Sequence, residues 1–200
     1  MVVLHHAVIL NILDHDFQAF NVVVRMNPIL KYPFDKRSFY TRQDRKDIGH
    51  GLELWRGIFQ SFRPTINQLI LNIDLKAGVM YKEGPLLSLC LDFFGKHDAS
   101  PTALLSSDIF PIKKRLELKR FLVGLRVQTP TTGAKLRTIR GLSDLGAKTH
   151  TLLARSGTQT TVAQYFASLG HQLCYPSVIC IQVSVFHRYI GFTLCLNWFS

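Results

Sequence analysis

The sequence predicts an α+β chain: a small antiparallel β-sheet in the first half, then a small β-barrel decorated with short helices. Three observations lead there. Leu52–Gln60 and Leu69–Leu75 alternate apolar and polar residues, the period of strands with one wet face. Beyond Lys113, short β-prone runs alternate with short helix-compatible ones, at the spacing of a small barrel with helical additions. The third is charge. Lys113 to Arg188 holds twelve Lys/Arg and two acids, Glu117 and Asp144, so +10 of the chain's formal +11 lies in one stretch. Its 200 residues, 47% of them hydrophobic, suffice for one large domain or two small ones with a core.

Taken in order, Phe20–Val24 is rich in β-branched residues and predicts a strand, with a helix end as the alternative. Pro28 and Pro33 interrupt regular structure, which leaves Tyr32–Phe34 and Ser38–Tyr40 in a connecting segment. Thr41–Gly51 is polar, ends in Gly49-His50-Gly51 and predicts an exposed turn. The two alternating runs flank Pro64 and predict an antiparallel pair, with Val79–Tyr81 as a short third strand. Pro85 suits the first position of a helix through Leu86, Leu89, Cys90 and Phe93, and Gly95 its stop. Ser-Pro, Ser-Ser and Phe-Pro pairs make Lys96–Pro111 a loop. Arg115–Val123 predicts a helix, Gly124–Thr129 a strand and Pro130–Gly133 a turn. Lys135–Arg140 alternates basic and apolar residues, which would set two or three cations on one strand face. Thr161–Leu169 predicts a short helix closed by Gly170, and Val178–Val183 a strand.

Cations neutralise phosphates and aromatic rings stack on bases. The pair Tyr165–Phe166 stands inside the basic stretch, so this segment predicts a nucleic-acid surface. The competing reading is a solvated basic face over two core aromatics. Four scattered cysteines form no C-x-x-C, and eight histidines form no H-x-x-x-H. Neither a disulfide framework nor a metal site is predicted, and no cofactor; reduced thiols fit an intracellular chain. The first thirteen residues lack the basic start and small-residue cleavage site of a signal peptide. Val178–Ser200 is apolar but broken by His187-Arg188, leaving less than the roughly 20 residues a spanning helix needs. No membrane partner is expected.

Leu52-Glu53-Leu54-Trp55-Arg56-Gly57-Ile58-Phe59-Gln60-Ser61-Phe62-Arg63-Pro64 resembles the first linker of eukaryotic Argonaute proteins. So does Leu71-Asn72-Ile73-Asp74 followed by Met80-Tyr81-Lys82-Glu83-Gly84-Pro85-Leu86. Arg25-Met26-Asn27-Pro28 and Arg37-Ser38-Phe39-Tyr40 resemble the end of the family's N domain. Gly124-Leu125-Arg126-Val127, Thr161–Phe166 and Tyr175–Val183 resemble its PAZ domain, an OB-like small β-barrel with an αβ insertion. The wording around Ile139-Arg140-Gly141-Leu142 resembles fungal members. The resemblance implies an internal fragment. Residues 1–47 would be an N-domain remnant, with 1–16 unlike the family; 48–83 would be linker 1 and 84–183 the PAZ domain. Residues 184–200 depart from the pattern, as a retained intron or frameshift would make them, and the barrel's last strand is expected to be lost with them.

The function so implied is binding the single-stranded 3′ end of a small guide RNA, in a cleft between barrel and insertion, during RNA silencing. Tyr165 matches the family tyrosine that hydrogen-bonds a terminal phosphate, and Lys135 a basic phosphate contact. Thr132 stands near where animal Argonautes place a histidine, Arg137 where a tyrosine is usual, and Leu152 where a phenylalanine is usual. The segment after Tyr165-Phe166 is one residue shorter than in the family and lacks its Lys-Tyr pair; His171 would stand in. Nothing resembles the MID domain or the PIWI nuclease with its carboxylates, so the resemblance implies no catalysis and no catalytic residue. Silencing-complex proteins are the implied protein partners, and the cytoplasm, with the nucleus, the implied location. The alternative is a structural or interaction fragment without specific RNA affinity.

Overall fold

The computed structural model describes residues 2–3, 14–35, 37–65, 68–128, 136–153, 159–183 and 193–195. The chain divides into two compact units, Met1–Lys82 and Glu83–Ser200.

The first unit is an antiparallel sheet in the order β1-β4-β3-β2, with one helix. The strands are β1 (Val2–Val3), β2 (Ser38–Gly49), β3 (Leu52–Thr65) and β4 (Gln68–Tyr81); the helix is α1 (Asp14–Lys31). β3 and β4 keep one register from Leu52 opposite Tyr81 to Thr65 opposite Gln68. This is the predicted pair, lengthened at both ends. Val79–Tyr81 is the end of β4 and not a third strand. Along β3, Glu53, Trp55 and Gly57 are buried, Leu54 is half-buried and Arg56 and Ile58 are exposed, the expected period of two. The Trp55 indole Nε1 donates to Glu53 Oε2 at 3.0 Å, which satisfies the buried carboxylate.

β2 corrects two expectations. Ser38–Tyr40 is not connecting chain: Phe39 and Tyr40 are buried strand residues. The Tyr40 ring lies over two glycines of the sheet, and a Cβ at Gly57 or Gly78 would come within 2.7 or 2.6 Å of it. Thr41–Gly51 continues as strand to Gly49, with register shifts between Thr41 and Lys46 and between Asp47 and Gly49. Only Gly49-His50-Gly51 turns, with φ of 80°, 55° and 74°.

α1 overturns the strand expected at Phe20–Val24. Asn21, Val24, Arg25 and Pro28 are half-buried at the helical spacing i, i+3, i+4, i+7. Phe20 meets Phe62 edge-on at 5.8 Å, and Asn21 Oδ1 accepts from the Phe62 N–H at 2.8 Å. A β-branched residue costs a helix only roughly 0.5 kcal/mol, less than one such packed pair and hydrogen bond contribute. Pro28 lies inside the helix, which ends three residues later with Tyr32 N–H donating to Pro28 O at 2.9 Å.

The second unit begins with three helices, α2 (Leu86–Phe93), α3 (Pro101–Leu105) and α4 (Ile112–Leu122). Gly95, at φ 65°, ends the α2 turn as expected, with its N–H on Asp92 O at 2.9 Å. α3 lies in the expected loop, started by Pro101 and by Ala103 and Leu104 N–H groups donating to Ser100 O. There follow β5 (Arg126–Gln128), β6 (Leu136–Gly146), β7 (Thr151–Leu153), β8 (Gln159–Thr161), α5 (Val162–Ser168), β9 (Ile179–Val183) and β10 (Thr193–Cys195). The antiparallel sheet runs β10-β9-β6-β5, while β7 and β8 form a separate hairpin. The hairpin and α5 are therefore an αβ insertion between two neighbouring strands. β10 pairs with β9, Thr193 opposite Gln182, so a strand from beyond Val183 does join the sheet, contrary to the expected loss. The predicted turn Pro130–Gly133 lies outside the described residues. Leu118, Leu122, Ile139, Val162 and Ile179 are fully buried in one core. Cys90, Cys174 and Cys180 are free thiols, and burial pushes the Cys90 thiol up from its ordinary pKa. Among the described residues no helix is long and apolar enough to cross a membrane.

Candidate nucleic-acid interface

The insertion owes its shape to one capping device. Thr161 Oγ1 accepts from the Gln164 N–H, and Gln164 Oε1 accepts from the Thr161 N–H, both at 3.2 Å. With α5 started there, Val162 and Phe166 fall one turn apart and enter the core, 0% and 2% exposed. Tyr165, one step round the helix, is only half-buried. Its ring sits edge-on to Phe166 with centroids 5.6 Å apart, and packs against the core on one flank. The core place is thus filled by Phe166, and Tyr165 stays half-buried beside it.

Leu152 lies on β7 opposite Thr160, half-buried against the same core. His171 follows Gly170 (φ 80°), and its N–H donates to Phe166 O at 2.9 Å. Tyr165, Leu152 and His171 therefore belong to the insertion or its exit. Arg137 lies on the sheet instead, half-buried in β6 opposite Val127. Lys135 and Thr132 lie outside the described residues. The expected row of cations on β6 is interrupted: register shifts between Ile139 and Gly141, and Arg140 is exposed where Arg137 is half-buried.

The basic field is partly spent inside the unit. Arg115 donates to Asp144 Oδ1 at 2.8 Å, and Lys114 stands over the Phe94 ring at 5.8 Å. Lys113, Lys119, Arg120, Arg126, Arg140 and Lys148 are exposed. Among the described residues no group of three or more His, Cys, Asp or Glu could hold a metal ion.

One pair escaped the sequence reading. Ser143, 3% exposed on β6, and His150, at the mouth of the insertion, share a hydrogen bond of 3.0 Å between Oγ and Nδ1. Neither residue stands in a motif, and their separation in sequence carries no signal. The capping box did carry one, the Thr161-x-x-Gln164 spacing.

The described residues thus form an antiparallel sheet followed by a basic α+β unit with an αβ insertion. The Argonaute linker 1 domain model matches residues 36–82. Protein argonaute 14 of Oryza sativa is 37% identical over 177 residues, covering 82% of this chain and 16% of that protein. Protein argonaute MEL1 of the same species is 34% identical over 171 residues, again 82% of this chain and 16% of that one. Among solved structures, Kluyveromyces polysporus Argonaute with a guide RNA matches 80% of this chain and 20% of its own, at a TM-score of 0.50 and 14% identity. That likeness is one of fold alone. Over this span the chain is an Argonaute-family sequence, and it covers about a sixth of the rice relatives' length, 16% of each. These relatives are plant proteins, so the fungal wording expected from Ile139–Leu142 gains no support from them.

Proposed function

We propose that residues 84–183 form a PAZ domain that binds the 3′ end of a single-stranded small RNA, and that residues 48–83 are the linker 1 that carries it. The reading places the chain in RNA silencing, in the cytoplasm and the nucleus, alongside silencing-complex proteins. The observation that carries it is Tyr165, half-buried on a capped helix within a basic unit; the resemblance matches it to the family's phosphate-binding tyrosine. The ring offers a face for a terminal nucleotide and the hydroxyl a donor for its phosphate. Exposed cations on α4, β5 and β6 supply the sequence-independent attraction.

The chain is proposed to hold RNA without cutting it. Two-metal hydrolysis needs clustered carboxylates, and the basic stretch contains only Glu117 and Asp144, the latter paired with Arg115. A rival reading, an interaction fragment without specific RNA affinity, draws on Arg137 and Leu152 standing where the family usually has aromatic residues. A duplex with a 3′ overhang, compared with its blunt counterpart, separates the two. An end-binding cleft prefers the overhang; equal affinity for both leaves the rival.

A further inference from the structure

The αβ insertion joins the sheet through a short turn, Gly146–His150, that is bonded on every side. His150 and Thr149 N–H groups donate back to Gly146 O at 2.8 and 3.1 Å. Lys148 N–H donates to Pro176 O at 3.0 Å, on the returning chain. Two N–H groups of the first turn of α5 are taken up here: Val162 donates to His150 O and Ala163 to Ala147 O, both at 2.9 Å. Gly146 is packed so closely that a Cβ would lie 2.6 Å from Ser177 O. These links are main-chain to main-chain.

Side chains add further links between strand and turn: Thr149 Oγ1 donates to Gly146 O at 3.3 Å, and Ser143 bonds His150. Ser143 Oγ accepts from the Leu145 N–H at 3.1 Å and shares a second hydrogen bond with His150 Nδ1 at 3.0 Å. The serine is buried, so this bond is shielded from water and geometrically demanding. His150 is the residue immediately before β7, which carries Leu152, and its carbonyl holds Val162, three residues before Tyr165. The imidazole thus ties β6 to the point from which Leu152 and Tyr165 are hung.

We infer that the Ser143–His150 hydrogen bond sets the angle of the insertion against the sheet, making both side chains positioning residues for RNA 3′-end recognition. This rests on the end-binding reading above. Neither residue touches RNA; each acts through the placement of Tyr165 and Leu152. The bond should therefore govern preference for an end and leave charge-driven attraction alone.

The test measures affinity for a 3′-overhang duplex and for a blunt duplex of the same length, beside thermal melting. The proteins are wild type, His150→Leu, Ser143→Ala, the double variant and His150→Asn, whose side-chain amide can donate to or accept from the serine hydroxyl. Removing one hydrogen bond should cut the overhang-to-blunt preference about two- to tenfold in either single variant. The double variant should lose no more than the singles, because they break the same bond, and His150→Asn should recover most of the preference. Blunt-duplex affinity should stay within about twofold throughout. Melting shifts with the preference intact, or losses that add in the double variant, would overturn the inference while leaving end binding in place. If wild type itself shows no preference, the end-binding reading falls, and the inference with it.

Discussion

Tyr165→Phe removes one oxygen and little else. The ring keeps its 5.6 Å edge contact with Phe166 and its half-buried flank, while the hydroxyl has no hydrogen-bond partner among the described residues. Stability should therefore be unchanged within about 0.5 kcal/mol. A charge-assisted bond from that hydroxyl to a phosphate is worth about 1.5–3 kcal/mol, so affinity for a 3′-overhang RNA should fall about ten- to hundredfold. Tyr165→Ala deletes the ring as well. A fully buried ring would cost ~3–5 kcal/mol of stability; with one flank exposed, about 2 kcal/mol is expected, together with a further ~1–3 kcal/mol of lost base stacking. Fluorescence titration of the overhang RNA and urea melts of the same three proteins read both scales. Wild-type affinity in Tyr165→Phe would refute the phosphate role. A stability loss in Tyr165→Phe as large as in Tyr165→Ala would show that the hydroxyl is bonded inside the fold.

Other outcomes follow from charge and packing. The logarithm of RNA affinity should fall against log salt with a slope of about −0.7 per phosphate contact; a flat titration between low and moderate salt would remove the exposed cations from the interface. Gly78→Ala sets a Cβ 2.6 Å from the Tyr40 ring and should destabilise the first unit by about 1–3 kcal/mol, much of it recovered in a Tyr40→Ala background, as urea melts would reveal. Asp35 accepts hydrogen bonds from the Ser38 and Arg37 N–H groups and the Tyr40 hydroxyl, which hold its pKa below the ordinary 3.8. A lowered folded pKa gives stability that is present above pH ~4 and lost as pH falls through the folded value. The melting difference between wild type and Asp35→Asn should shrink steadily from pH 5 to pH 2, and a constant difference would count against this source.

The hairpin of β3 and β4 was legible because its alternation is local: each strand's pattern is written in its own residues, and the partner is the next strand along. The helix Thr161–Leu169 was legible for the same reason, with Gly170 to stop it. α1 was not, because Val22-Val23-Val24 states a local preference that Phe62 and the sheet overrule from forty residues away. Tyr40 looked like loop punctuation for a related reason. Its place is made by the absence of side chains at Gly57 and Gly78, and a gap in two distant strands leaves no mark beside the tyrosine. In the candidate site, Tyr165 could be found from its aromatic and basic surroundings and from the family wording. His150 could not, since its role depends on Ser143 being carried back to it by the fold.

The connection between β6 and β9 has a consequence for how this molecule can vary. The two strands are neighbours, so the chain that leaves the sheet at Gly146 comes back to the adjoining position at Ile179. Everything between is an excursion whose two ends are fixed and whose contents the ladder does not count. Residues can be gained or dropped along that excursion without shifting the register of β6 against β9. The sheet can thus stay constant while the insertion is recut, so the insertion can change length and chemistry independently of the scaffold that displays it.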